Sequence, residues 1–204
     1  MIYEPKWKSL LATTITPIFT PAQCEDIIKM GHSQKLEKAK VGHQEETKPD
    51  TSKARLTPLV DLNKARRTTI SWIPFKSMPQ MYTRIERSML QANGNHFGYE
   101  GMQISEIAQF TEYPKGGFYD WHMDADINGL DEPPVRKISM TILLSNPSEF
   151  VGGDLEFMVE GNKPPDLEQG QAIFFCSLLR HRVKKVKKGI RRSLVMWFGG
   201  PPFK

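Results

Sequence analysis

Residues 113–124 read Tyr-Pro-Lys-Gly-Gly-Phe-Tyr-Asp-Trp-His-Met-Asp. Pro114 to Gly117 breaks any regular element, because proline lacks a donor and glycine tolerates turn conformations. The aromatic-rich run Phe118–Asp124 that follows reads as a β-strand. Side chains in a strand alternate between faces, so His122 and Asp124 point one way and Met123 the other. Further runs of the same kind follow outward: Ile104–Phe110, Ile138–Leu144, Asp154–Met158, Ala172–Phe175, His181–Val186 and Ser193–Phe198. Breaks at Pro133-Pro134, Pro147, Gly152-Gly153, 161–165 and Gly189 separate them. Many short strands at this spacing predict a β-sandwich or barrel.

Upstream the pattern is helical. Thr20-Pro21-Ala22-Gln23 predicts a helix start with a capping box and proline in the first turn. Cys24, Ile27, Ile28 and Gly31 follow at helical spacing as its buried face. A second helix is predicted from about Pro79 to Asn93, with Tyr82, Ile85, Met89 and Ala92 as its stripe. Residues 32–57 are polar and lysine-rich, which predicts an exposed loop, a candidate lid. The expected architecture is α+β, mainly β. A single domain fills 1–204, with helical support over 1–100 and a β core over 101–204.

The chain has 204 residues and a net charge of +5, from 28 basic and 23 acidic side chains. Eight of the basic residues lie within 180–192, which holds no acid. Without them the balance is −3, from 20 − 23. No apolar run reaches the roughly 18 residues of a membrane span. Met1 to Leu10 lacks the apolar core of a signal peptide. Two cysteines, Cys24 and Cys176, are too few for a disulfide scaffold and suit a reducing compartment. A cytoplasmic location without membrane contact is the expectation.

An imidazole and a carboxylate on one strand face can share a metal ion, and a third ligand is then needed. His32 and His43 lie in the polar N-terminal region, and His96 follows a turn-like Asn-Gly-Asn. His181 opens a strand and is the best placed. Two histidines and one carboxylate form the facial triad of non-haem Fe(II) oxygenases, with coordination positions left open. No Cys-x-x-Cys pair supports structural zinc. Lys187-Lys188-Gly189 reads as a turn that folds strand His181–Val186 back on Arg191–Phe198. Arg191 and Ser193 then share a face and form a carboxylate receptor. The lysines between read as a solvated face. The competing reading is a non-catalytic polyanion-binding module on 180–192. No nucleic-acid motif accompanies it, so nucleic acid is not the expected partner.

These words together resemble the 2-oxoglutarate/Fe(II) dioxygenases of the prolyl 4-hydroxylase type. The resemblance covers about Gln109 to Phe198. It rests on Tyr113 to Asp124, on Arg136 to Leu144, on Phe150-Val-Gly-Gly-Asp-Leu-Glu-Phe157, and on His181 to Arg191 with Trp197 six residues on. It implies a double-stranded β-helix, or jelly roll. It implies Fe(II), held by His122, Asp124 and His181, with 2-oxoglutarate and O2 as cosubstrates and ascorbate as a stimulant. Arg191 would meet the distal carboxylate of 2-oxoglutarate, with Ser193 and Tyr113 beside it. Tyr119, Arg136 and Trp197 would face substrate. Each also has a plain reading: Tyr119 and Trp197 as core, Arg136 as the charged start of a strand. Two departures are Leu144, where relatives carry a tyrosine, and Gly-Gly-Asp in place of Gly-Gly-Glu. Asp124 as a ligand favours hydroxylation over halogenation. The implied substrate is a prolyl residue of a peptide or protein, with a free amino acid or other small molecule as the alternative. The loop Ala125 to Val135 and the segment 32–57 are expected at the pocket mouth.

Overall fold

The structure is a computed structural model, and it describes residues 10–38, 65–159 and 166–203. In chain order the strands are β1 (Leu11–Thr13), β2 (Glu37–Lys38), β3 (Arg66–Arg67), β4 (Thr69–Ile73), β5 (Gln103–Ile104), β6 (Ala108–Tyr113) and β7 (Phe118–His122). Then come β8 (Val135–Leu143), β9 (Phe150–Gly152), β10 (Leu155–Phe157), β11 (Ala172–Cys176), β12 (His181–Val183), β13 (Val186–Gly189) and β14 (Arg191–Gly200). Among the described residues the long α-helices are α1 (Pro21–Ser33), between β1 and β2, and α2 (Pro79–Ala92), between β4 and β5.

The major sheet runs β1-β11-β8-β14-β6-β4-β2, and β5 continues the β6 edge along β14. A minor sheet runs β10-β12-β7-β3, and β9 pairs with β13. All the pairs are antiparallel, as a jelly roll requires. Strand parity sorts the major sheet into two faces. Phe110, Ile138, Met140, Ile142, Phe174, Leu194, Met196 and Phe198 join one core with Cys24, Ile27 and Ile28 of α1 and Met81, Ile85 and Met89 of α2. The opposite face carries Gln109, Tyr113, Thr141, Arg191, Ser193 and Trp197 toward a cavity between the sheets. Both sides of β8 and β14 are covered, so these strands have few exposed positions.

Both helices form where their stripes place them. Thr20 accepts from Gln23 N and Gln23 returns the bond to Thr20 N, closing the capping box. Such a cap contributes about 1 kcal/mol. Among the described residues no helix is long and apolar enough to cross a membrane.

Three expectations change. Residues 1–100 are not only helical support: β1 to β4 extend both sheets, because their backbone edges find partners in β11, β6 and β7. The run Ile104–Phe110 splits into β5 and β6, with Glu106 in the gap. The hairpin read at Lys187-Lys188-Gly189 does not form. β12 pairs with β7 and β10, β13 pairs with β9, and β14 lies in the major sheet. Gly189 makes the crossing possible. It has φ +72°, and a Cβ there would sit 1.9 Å from Glu149 O. Of the proposed lid, 32–38 is the end of α1 and β2, and 39–57 lies outside the described residues, as does His43.

Candidate metal centre and anion pocket

β7 and β12 bring the two histidines together, with His122 opposite His181 in the ladder. The next paired residues are Tyr119 and Val183, so β7 carries one more residue than β12 between these pairs. This bulge re-aims the strand end. Tyr119 and His122, three residues apart, stack face to face at 3.5 Å and 14°. The strand stops at His122, and Asp124 N and Ala125 N donate to Ser177 O beyond it.

The result is one cluster. Ligand-capable atoms of His122, Asp124 and His181 lie within 4.8 Å of one another. His122 Nε2 is 3.7 Å from Asp124 Oδ1 and His181 Nε2 is 3.6 Å from Asp124 Oδ2. His122 Nδ1 lies 2.7 Å from Asp120 O, and His181 Nδ1 lies 2.9 Å from Leu179 O. A carbonyl only accepts, so each Nδ1 carries the hydrogen and each Nε2 presents its lone pair to the cluster. Burial, then the charge of His181, pushes the His122 pKa down to about 4, so it is neutral at physiological pH. Burial pulls the Asp124 carboxyl up, but His181 and then His122 outweigh it and hold it below the usual range. Ser139 and Trp197 also face this carboxylate. Asp124 Oδ2 and Trp197 Nε1 are nonetheless buried without a hydrogen bond of normal geometry. Two imidazoles and a carboxylate with an unpartnered oxygen fit a divalent iron ion.

Arg136 holds this corner in place. Its Nε and Nη2 bond both oxygens of Glu106, its Nη1 donates to Asp124 O at 3.0 Å, and its Cζ lies 4.2 Å over the Trp197 ring. The arginine expected to face substrate is therefore largely committed to protein partners, although it lines the cavity. Trp197 also packs 6.2 Å from Trp72.

Arg191 lies in the same cavity at 3% exposure. Nη1 donates to Ser193 Oγ at 3.2 Å, and Cζ sits 5.7 Å over the Tyr113 ring. Gly153 backs it: a Cβ there would come within 2.8 Å of Arg191 Cδ. Burial lowers the pKa of this guanidinium. Among the described residues it has no carboxylate at ion-pair distance, so a buried cation is left ready for an anion. The lysines of 180–192 lie elsewhere. Lys184 pairs with Asp154 and Glu156, and Lys185, Lys187 and Lys188 are exposed.

The cavity has a volume of about 1020 Å³ and holds all nine residues singled out from sequence: Tyr113, Tyr119, His122, Asp124, Arg136, His181, Arg191, Ser193 and Trp197. Asp126, Gly129, Glu132 and Val135 also line it, so the loop 125–135 reaches the site. Sequence reading missed Arg66, Glu106, Gln109 and Trp72. The alternation Thr69-Ile-Ser-Trp-Ile73 was the available strand signal for Trp72. Nothing local marks Arg66.

Comparison with known proteins agrees with this geometry. Residues 108–199 match the sequence profile of the 2OG-Fe(II) oxygenase superfamily, whose members use Fe(II), 2-oxoglutarate and O2. Residues 108–199 thus resemble a 2OG-Fe(II) oxygenase domain in sequence. Among curated proteins, a PKHD-type hydroxylase of Rippkaea orientalis is 35% identical over 89 residues, 43% of this chain and 40% of that protein. One of Thermosynechococcus vestitus is 33% identical over 117 residues, 56% of this chain and 52% of that protein. The chain spans well under two thirds of the length of the curated relatives it matches. Among solved structures, the viral collagen prolyl hydroxylase of Paramecium Bursaria Chlorella virus-1 has a TM-score of 0.68 at 16% identity, covering 94% of this chain and 97% of that one. A Pseudomonas putida prolyl-4-hydroxylase scores 0.64 at 19% identity, covering 94% and 92%. At these identities the likeness is one of fold.

Proposed function

We propose that this chain is a 2-oxoglutarate- and Fe(II)-dependent hydroxylase acting on a prolyl residue of a peptide or protein. The observation that carries the reading is the shared cavity. It sets a two-histidine, one-carboxylate cluster beside a buried arginine that lacks a carboxylate partner. Fe(II) with 2-oxoglutarate and O2 supplies the oxidising chemistry, with succinate and CO2 as co-products. His122, Asp124 and His181 hold the metal. Arg191 with Ser193 receives the distal carboxylate, and Tyr113 closes that end. Arg136 keeps Asp124 oriented through its carbonyl. Tyr119 fixes the His122 ring by stacking. No acid or base is required of the protein, whose part is coordination, orientation and a shielded wall.

The cavity, about 1020 Å³, has to hold the metal, the cosubstrate and the reacting group together, and a free amino acid or other small molecule is the alternative substrate. The test is succinate formation from 2-oxoglutarate by purified protein with Fe(II), with a mass-spectrometric search for one-oxygen products in a proline-rich peptide library. Absence of all turnover, or undiminished turnover in His122→Ala, refutes the reading. Oxygen gain on free amino acids but on no peptide shifts it to the small-molecule alternative.

A further inference from the structure

A second cation lines the cavity without a carboxylate. Arg66, on β3, lies opposite Tyr119 of β7 in the ladder. Its Cζ sits 4.3 Å over the Tyr119 ring, whose other partner is the His122 ring at 3.5 Å. Guanidinium, phenol and imidazole thus form a connected stack that ends on a metal-ligand residue. Nη2 donates to Gln109 Oε1 at 3.1 Å. Nε is buried and has no acceptor. The guanidinium also faces the neutral hydroxyls of Tyr113 and Tyr119, and Arg66 lines the cavity. Among the described residues no carboxylate lies within ion-pair distance of Arg66. The other cavity arginine outside the Arg191 end, Arg136, is neutralised by Glu106.

A cavity wall whose arginine meets only neutral partners among the described residues, an amide, two phenols and an aromatic face, is suited to receive an anion. In the hydroxylase reading the buried Arg191 is already assigned to the cosubstrate anion. We propose that Arg66 is a specificity-determining residue that receives a carboxylate of the substrate itself. The substrate class is then a peptide with an acidic residue near the hydroxylated position. This rests on the hydroxylase reading and narrows it. The stack sets the spacing: Arg66 Cζ is no more than about 8 Å from the His122 ring centre. An extended chain advances roughly 3.3–3.6 Å per residue. The carboxylate therefore belongs within about three residues of the modified one.

The experiment uses three fluorescently labelled proline peptides that differ only at the neighbouring residue: Glu, Gln or Lys. Their binding to the full chain is followed by anisotropy with Mn(II) and 2-oxoglutarate present, and succinate formation with Fe(II) is measured in parallel. The wild-type chain is expected to bind the Glu peptide at least tenfold tighter than the Gln peptide, since a hydrogen bond to a charged group contributes about 1.5–3 kcal/mol. Arg66→Gln should abolish that ratio, Arg66→Lys should retain part of it, and Arg66→Glu should turn the preference to the Lys peptide. A wall residue that only props Tyr119 would weaken all three peptides alike, and that result overturns the proposal. So does a raised KM for 2-oxoglutarate in Arg66→Gln with the peptide ratio intact, which would assign Arg66 to the cosubstrate. Turnover without any Glu preference sinks this inference alone, whereas absence of all 2-oxoglutarate turnover sinks the hydroxylase reading with it.

Discussion

Replacing Arg191 by methionine should have opposite effects on folding and on ligand binding. The guanidinium is 3% exposed, its bonded partner is the neutral Ser193 hydroxyl, and no described carboxylate compensates it. An uncompensated buried charge costs several kcal/mol, and an apolar side chain of similar reach removes that cost. Ligand-free Arg191→Met should therefore unfold at or above the wild-type midpoint. Binding behaves the other way. Two charge-assisted bonds to a carboxylate contribute about 3 kcal/mol or more, so the Kd for 2-oxoglutarate should rise about a hundredfold. The assay is thermal unfolding with Mn(II), with and without 2-oxoglutarate at a hundred times the wild-type Kd. Mass action gives the wild type about 2.7 kcal/mol of added stability and the variant about 0.4 kcal/mol. At about 2–4 °C per kcal/mol for a domain of this size, that is a shift of about 5–10 °C against about 1 °C. A wild-type shift in the variant would refute the assignment of the anion to Arg191. A marked loss of ligand-free stability would refute the claim that its charge is uncompensated.

Three other outcomes follow from the same geometry. Arg136→Met frees Glu106 and removes the donor to Asp124 O, so Mn(II) affinity measured by calorimetry should fall about 10–100-fold with the fold intact; an unchanged affinity would mean that the Ser177 contact alone orients Asp124. Gly189→Ala places a Cβ against Glu149 O at a positive φ, and urea unfolding should show a loss above 2 kcal/mol; a near-neutral result would show that the β13–β14 crossing tolerates rebuilding. Glu112 accepts from Arg192 Nε at 2.8 Å and contacts His32 Nε2 at 3.0 Å. Burial raises its pKa, but Arg192 and His32 outweigh this and hold it below the usual value. A depressed carboxyl contributes stability above its unfolded pKa, roughly 4.3, and loses it as pH falls through the folded value. The advantage of the wild type over Glu112→Gln, about 1 kcal/mol at pH 7, should therefore shrink below about pH 4; a difference constant from pH 7 to pH 3 would contradict the sign.

Local signals were enough where an element closes on itself or repeats with a fixed period. Thr20 and Gln23 satisfy each other's backbone within one turn, and Tyr82, Ile85, Met89 and Ala92 recur at helical spacing, so the start of α1 and the body of α2 were legible. Parity on β14 put Arg191 and Ser193 on one face before any partner strand was known. The pairing of His122 with Asp124 was legible too, because two residues of chain hold them within reach. Which sheet a strand joins was not legible, because the partner supplies half the hydrogen bonds and lies far away in sequence. The basic run 180–192 looked like one hairpin with His181 and Arg191 at its ends. Tertiary pairing instead sends β12 to the minor sheet and β14 to the major one, and the two residues line the same cavity from different sheets. Arg66 and Glu106 were invisible for the same reason. One lies on a two-residue strand that exists only because β7 pairs with it, and the other gains its role from an arginine thirty residues away. The residue types able to bind iron and a dicarboxylate are properties of the chain, but the bulge, the crossing at Gly189 and the Arg66–Tyr119–His122 stack arise only when distant backbones compete for the same hydrogen bonds.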